Sequence, residues 1–387
     1  LANSTVNHSH NVICSEKTVN IKERLDFSCA LFTAQGELVA NAPHVPVHLG
    51  SMDSAVAAIR EAFASHMRPG DSFMLNAPYK GGTHLPDITV VTPVFIDTDT
   101  TPAFFVASRG HHADIGGLAP GSMSPRATTV EEEGVYIEPT RLVAAGQFLE
   151  GETRALLTGA RHPARSPDEN IADLKAQLAA NIRGAAELSA LTVEFGLAEV
   201  TRYMAHVLDN GEAAIRNLLG ELKGGNFRIE TDQGTVIEVS IKIDTTTRSA
   251  IVDFTGTSPE QPTSFNAPAP VTRAAVLYVF RVLADVPIPL NAGCLRPIEI
   301  RIPEGSMLRP RFPAPVVAGN TETSQIVTNA LFAALGQLAP SQGTMNNLTF
   351  GNARVQYYET IASGSPAGPG FHGAAGVHAH MTNTRMT

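Results

Sequence analysis

Apolar and polar residues alternate through Phe27, Cys29 and Leu31, and again at Leu38 and Ala40, on either side of Gln35-Gly36. Alternation of period two, broken by a glycine-containing turn, predicts a β-hairpin within residues 20–50. Residues 51–66 predict a helix, with Ser51 or Asp53 as its cap and Pro69-Gly70 ending it. Two short β-branched or aromatic runs follow at 88–95 and 103–108, bounded by Gly and Pro, and these predict strands. The clearest helix starts at Ser166-Pro167-Asp168-Glu169, where serine is placed to cap, proline to fill the first turn, and Glu169 at the capping-box spacing. Ile171, Leu174, Leu178 and Ile182 recur at threes and fours and predict its buried face. Gly196 should end it, and a second helix over 197–219 completes a helical hairpin. Beyond Gly224-Gly225, residues 236–243 and 250–254 alternate and predict a second β-hairpin, with further short elements near 274–283 and 323–335.

This order predicts an α+β fold, β-rich and mixed with a central helical hairpin. The boundaries expected are an irregular leader at 1–17, a mixed α/β region at 18–160, the helical hairpin at 161–225 and a β-rich mixed region at 226–387. No fixed-period repeat is present, which sets solenoids and propellers aside. The 387 residues, 43% apolar and 17% charged, suffice for one large domain or two to three ordinary ones. A net charge of −9 argues against nucleic acid or an anionic membrane as partner. No run approaches the roughly 18 apolar residues of a membrane span. Three cysteines make no disulfide framework and no secretory pattern opens the chain, so the expected compartment is cytoplasmic. The chain opens on Leu1 rather than Met, and its irregular first 15 residues read as a fragment's edge or a foreign leader.

Thirteen histidines are unevenly spread. Gly81-Gly82-Thr83-His84-Leu85-Pro86-Asp87 immediately precedes one predicted strand, and Arg109-Gly110-His111-His112-Ala113-Asp114-Ile115-Gly116-Gly117 immediately follows the next. If those strands are antiparallel neighbours, both loops fall at one end of a sheet. His84, Asp87, His111 or His112, and Asp114 then come within reach of one centre. Two imidazoles and a carboxylate with open positions suit a hydrolytic or redox metal site rather than a closed structural one. Successive side chains of an extended segment alternate, so one of His111 and His112 ligates while the other packs or orients. A lone His-x-x-Asp is common by chance, and its aspartate can simply cap a turn; the second loop is what favours the metal.

Other candidates are weaker. His372, His378, His380, Asn383 and Arg385 form either a polar surface loop or a second wall of the active site. His48 is either a proton shuttle or a satisfied buried group. Glu131-Glu132-Glu133 reads as a solvated face, unless one of them lies beside a metal as a base. Cys29 should pack, and Cys294, in a turn-like setting, is a modest nucleophile candidate. Walker and dinucleotide fingerprints are absent, so ATP chemistry would need another chain or domain.

A run of segments stands in order: Asn20 to Cys29, Pro46-Val47-His48-Leu49-Gly50-Ser51-Met52, the two His/Asp loops, and Pro120-Gly121-Ser122-Met123. It continues through Glu132-Glu133-Gly134, Gly319-Asn320, Met345-Asn346-Asn347 and His378 to Arg385. Together these segments resemble the hydantoinase B/5-oxoprolinase family. Residues 106–117 and 365–373 are most similar to the 5-oxoprolinase branch, which opens 5-oxo-L-proline to L-glutamate with ATP, a step of glutathione metabolism. Related members act on hydantoins, and acetone and acetophenone carboxylases are more distant. The resemblance implies a divalent metal ion (zinc, manganese or iron) held by His84, Asp87 and, of the two neighbours, His111. It implies His48, His112, Asp114 and Glu133 as candidates for proton handling. Arg109, Asn320, His380, Asn383 and Arg385 become candidates for substrate binding. It further implies a hetero-oligomer in which an A-type, actin-like subunit or domain handles ATP and this chain, the B-type catalytic component, takes a small cyclic amide. The family normally has a lead-in helix where residues 1–15 do not match one, and continues beyond Thr387. A carboxylase-like component and a non-catalytic scaffold are the alternatives.

Overall fold

The computed structural model describes residues 21, 25–42, 45–97, 100–345, 347–351 and 356–382. The expected leader and the candidates Asn383 and Arg385 lie outside the described residues. The fold is α+β. Strands β1 (Phe27–Thr33), β2 (Leu38–Asn41), β3 (Ser72–Leu75), β4 (Asp87–Val94), β5 (Phe104–His111), β6 (Thr140–Ala144) and β7 (Gln147–Phe148) form one sheet. Its order is β2-β1-β5-β4-β3-β6-β7, and the pairs are antiparallel. The hairpin around Gln35-Gly36 is as the alternation predicts, and the two later strands are the antiparallel neighbours on which bringing the two His/Asp loops together depended.

Both faces of this sheet are covered, and β4 and β5 are buried along their whole length. Helix α1 (Pro46–Leu49) leads into α2 (Met52–Phe63). Met52, Ala55, Val56 and Ile59 of α2 pack on Ala30, Phe32, Val91, Phe105 and Ala107 of one face. Ser51 stands at the N-cap position of α2 but makes no side-chain cap; its hydroxyl donates to Val47 O at 2.6 Å. Helix α3 (Glu150–Thr158) precedes α4 (Pro167–Phe195), which covers the opposite face.

Helix α4 starts where the sequence places it, but two details differ. The Ser166 side chain forms no capping bond, and the turn closes through Glu169 N–H to Ser166 O. Ile182 is 58% exposed, because the stripe facing the sheet is polar as well as apolar. Asn170, Asp173, Gln177 and Asn181, at spacings of three and four, are fully buried alongside Ile171 and Leu174. Two of the amides reach strand carbonyls: Gln177 Nε2 donates to Ile88 O at 3.0 Å, and Asn181 Nδ2 to Val90 O at 2.9 Å. Buried polar groups persist when so paired.

Helix α5 (Leu197–Leu219) returns along the chain and joins both halves. Val200 and Met204 sit in the first sheet's core, while Ile215 and Leu219 belong to the second. That second core lies between a sheet of β8 (Gly225–Glu230), β9 (Val236–Asp244), β10 (Ser249–Asp253) and β11 (Ile298–Arg301) and helices α6 (Ala269–Leu283) and α7 (Thr323–Ala334). Its order is β11-β10-β9-β8, with β11 parallel to β10 and the other pairs antiparallel. The two halves meet tightly at Gly50, where a Cβ would lie 2.5 Å from Ala274 Cα of α6. No helix among the described residues is long and apolar enough to cross a membrane.

Gln177→Leu would leave His112 and two strand carbonyls without their partner in a dry interface. A loss of about 1–3 kcal/mol in urea unfolding is expected; an unchanged midpoint would show that the polar stripe contributes nothing.

Candidate metal centre

The pairing of β4 with β5 sets the geometry. Asp87, the first residue of β4, stands directly opposite His111, the last of β5. Cross-strand partners project to the same face, so both side chains leave on the α2 side. The preceding loop folds back sharply. Gly81 has a φ of +93°, and a Cβ at Gly82 would fall 2.2 Å from Asn76 O, so a side chain at either position would displace the turn. Asn76 Nδ2 donates to Leu85 O at 2.8 Å, and His112 N–H to Pro86 O at 2.9 Å, tying the loop to the sheet.

His84 is thereby delivered to the pair. Its Nε2 lies 3.2 Å from His111 Nδ1, and His111 Nδ1 lies 3.2 Å from Asp87 Oδ1. All three residues are buried, with donor atoms within 4.8 Å of one another. Ligands about 2.1 Å from one cation are separated by about 3.0 to 3.4 Å at octahedral or tetrahedral angles, so these spacings fit a coordination edge. His84 Nδ1 is buried without a hydrogen bond, 3.3 Å from Asp87 Oδ2. Burial lowers His84 to about 4, keeping the ring neutral and its lone pair available. Burial alone would raise Asp87, but the imidazoles of His48 and His84 and hydrogen bonds from His111 and His48 hold it well below the usual carboxylate range.

Five further residues surround this carboxylate and ring set. Thr83 Oγ1 and Asn320 Nδ2 donate to Asp87 Oδ2 at 2.8 and 2.9 Å, and His48 Nε2 approaches the same oxygen to 3.1 Å. His48 Nδ1 in turn meets Ser28 Oγ at 3.3 Å. Asp26 stands 3.9 Å from both His48 Nε2 and His111 Nδ1, and its side chain is 24% exposed. It is the one carboxylate of the group with a path to solvent. Its only sequence signal was its place in the segment from Asn20 to Cys29; it is remote from the His-x-x-Asp loop and stood in no candidate set.

The profile of the hydantoinase B/oxoprolinase family matches residues 7–387. The chain belongs to that family. It is 48% identical to 5-oxoprolinase 1 of Arabidopsis thaliana over 96% of its own length, spanning 31% of that longer protein. Among solved structures it superposes on the ATP-dependent caprolactamase of Pseudomonas jessenii with a TM-score of 0.80 at 24% identity, covering 97% of this chain and 68% of that one. The nucleotide-free structure of acetone carboxylase gives 0.85 at 15% identity, covering 99% and 55%. At such identities these two likenesses concern the fold.

Within this family fold, the remaining candidates separate. Arg109 is fully buried two residues before His111; its Nε donates to Thr89 Oγ1 at 2.7 Å and its Nη1 to Ser51 Oγ at 2.5 Å. Burial lowers it to about 10, partly offset by the carboxylates of Asp87 and Asp53, so it stays cationic. His112 points to the other face, as strand alternation requires, with Nε2 3.1 Å from Gln177 Oε1 and Nδ1 3.1 Å from Asn170 Nδ2. Asp114 does not join the cluster. It accepts from Gly116 and Gly121 N–H and from Arg165 Nη1 at 2.7 Å, organising its own loop. His380 stacks on Phe332 in a separate depression of about 400 Å³ lined also by Tyr278, Phe371 and His378. Glu133 is not on a solvated face: it is fully buried and accepts from Val316 and Val317 N–H. Cys294 is buried, which pushes its thiol up and away from nucleophile chemistry.

Burial raises Glu133 from 4.5 to about 8, against the two backbone bonds that lower it. The folded state therefore holds a proton the unfolded chain has released, and this contribution, complete below pH 4.5, is lost as pH climbs through 8. Urea unfolding across that range should show an alkaline decline of a few kcal/mol that E133Q flattens. A decline of equal slope in E133Q would contradict the assignment.

Proposed function

We propose that this chain is the B-type catalytic component of an ATP-dependent cyclic-amide hydrolase, opening 5-oxo-L-proline to L-glutamate in the cytoplasm. The observation that carries this reading is the 48% identity to a 5-oxoprolinase, sustained over 96% of the chain. The buried His84, Asp87 and His111 set supports it as the place where the ring is attacked. A five-membered lactam is a stabilised amide, so its carbonyl needs activation. ATP, bound by an A-type subunit or domain, would phosphorylate the amide oxygen and make the carbonyl carbon electrophilic. Water adds at that carbon, and the C–N bond breaks with the ring nitrogen leaving as the amine. Hydrolysis of the resulting acyl phosphate releases inorganic phosphate and L-glutamate.

Zinc, manganese or iron held by His84, Asp87 and His111 would supply Lewis acidity here. The chain's own residues then handle water and protons. Asp26, facing both His48 and His111 from the solvent side, is placed to accept a proton from an attacking water. His48, between Asp87, Asp26 and Ser28, passes or holds that proton. Arg109 keeps a positive charge beneath the carboxylates. His112 and Asp114 act by fixing the loops from which the cluster is built.

Supplied with its A-type partner, the protein should release ADP, inorganic phosphate and glutamate from ATP, water and 5-oxoproline, and the isolated chain should not hydrolyse ATP. His84→Ala should lower turnover by roughly 100-fold or more. ADP release with a hydantoin alone would change the substrate, and ADP release with bicarbonate and a ketone alone would replace the reading with carboxylation. Turnover intact in His84→Ala would favour a scaffold.

A further inference from the structure

The three clustered residues all come from the first sheet and its loops, yet Asn320 reaches them from the other half of the chain. Asn320, just after the 3-10 turn Val317–Gly319, donates Nδ2–H to Asp87 Oδ2 across 233 residues of sequence. The strap that carries Asn320, residues 313–320, is pinned to the first half at three points. Val130 N–H donates to Pro313 O at 2.8 Å, and the Tyr79 hydroxyl donates to Ala314 O. Glu133 Oε1 accepts both Val316 and Val317 N–H, each at 2.8 Å. The second half grips the same strap, through Asn266 Nδ2 to Pro315 O at 2.9 Å and Ala318 N–H to Ser264 O at 2.9 Å.

A dry carboxyl is expensive to bury, and Glu133 Oε2 has no hydrogen-bond partner. What Glu133 gains is the pair of backbone donors that open the turn before Asn320, groups that helix termini otherwise leave unmet. We propose that Glu133 is a positioning residue: by clasping the backbone at Val316 and Val317 it holds Asn320 on Asp87 Oδ2, which leaves Asp87 Oδ1 turned toward His111 and the cation. The two halves of the chain are thus coupled at the carboxylate of the centre. Glu133 touches neither substrate nor metal; it acts through Asn320. The inference rests on the cluster being a metal site.

Zinc affinity of the full chain, measured by competition with a chelating indicator, tests it. E133L should weaken binding roughly tenfold or more, the range for loss of an outer-shell partner, while E133Q, which keeps the accepting oxygen, should stay within about threefold. In an N320A background, E133L should add less than about twofold, since the two act as one unit. Tyr79→Phe removes a gentler tether, and its smaller loss should likewise vanish in N320A, which keeps the test open if E133L does not fold. Equal losses with and without Asn320, or no loss, would overturn the clasp while leaving the metal site standing. Absence of zinc binding by the unaltered chain would instead sink the metal reading itself.

Discussion

The pairing of β4 with β5 in a register that sets Asp87 opposite His111 is the constraint on which the centre depends. A slip of one residue would send one of the two side chains to the far face. The fold spends several interactions on preventing that slip. Gln177 bridges from α4 to Ile88 O on β4 and Ser108 O on β5, and Asn181 reaches Val90 O. Arg109 joins Thr89, its cross-strand partner, to Ser51 at the head of α2. These contacts lie on opposite faces of the same two strands, so the register is held from above and below.

Around that register the carboxylate of Asp87 is used unequally. Its Oδ2 collects Thr83, Asn320 and His48, whereas Oδ1 meets His111. Saturating one oxygen with donors fixes the rotation of the group and leaves the other with directional capacity, the arrangement by which outer partners orient a ligating carboxylate. Partners from α1, from the His84 loop and from the strap at 313–320 converge here, which is why residues far apart in sequence bear on a small volume.

Much of this was legible in the sequence, and the gaps have physical causes. The His84 and His111 loops could be brought together because strands at 88–95 and 103–108 are close in sequence and alternation ties each side chain to a face. The same rule separated His111 from His112 without saying which way the strand would turn. The α4 face was misread at Ile182 because periodicity weighs apolar residues, and the stripe on the sheet is carried partly by Asn170, Gln177 and Asn181. Glu133 looked solvated because a run of three glutamates carries no sign that the third folds inward. Asn320's partner, Asp87, was beyond any local pattern, since 233 residues separate them. Asp26 carried only the signal of its segment.

X-ray absorption at the metal edge of the loaded full chain reads the proposed ligand set itself. A first shell holding two imidazoles and a carboxylate oxygen is expected, with one imidazole lost in His84→Ala and one in His111→Ala. A shell free of imidazole, or one unchanged by both substitutions, would contradict it.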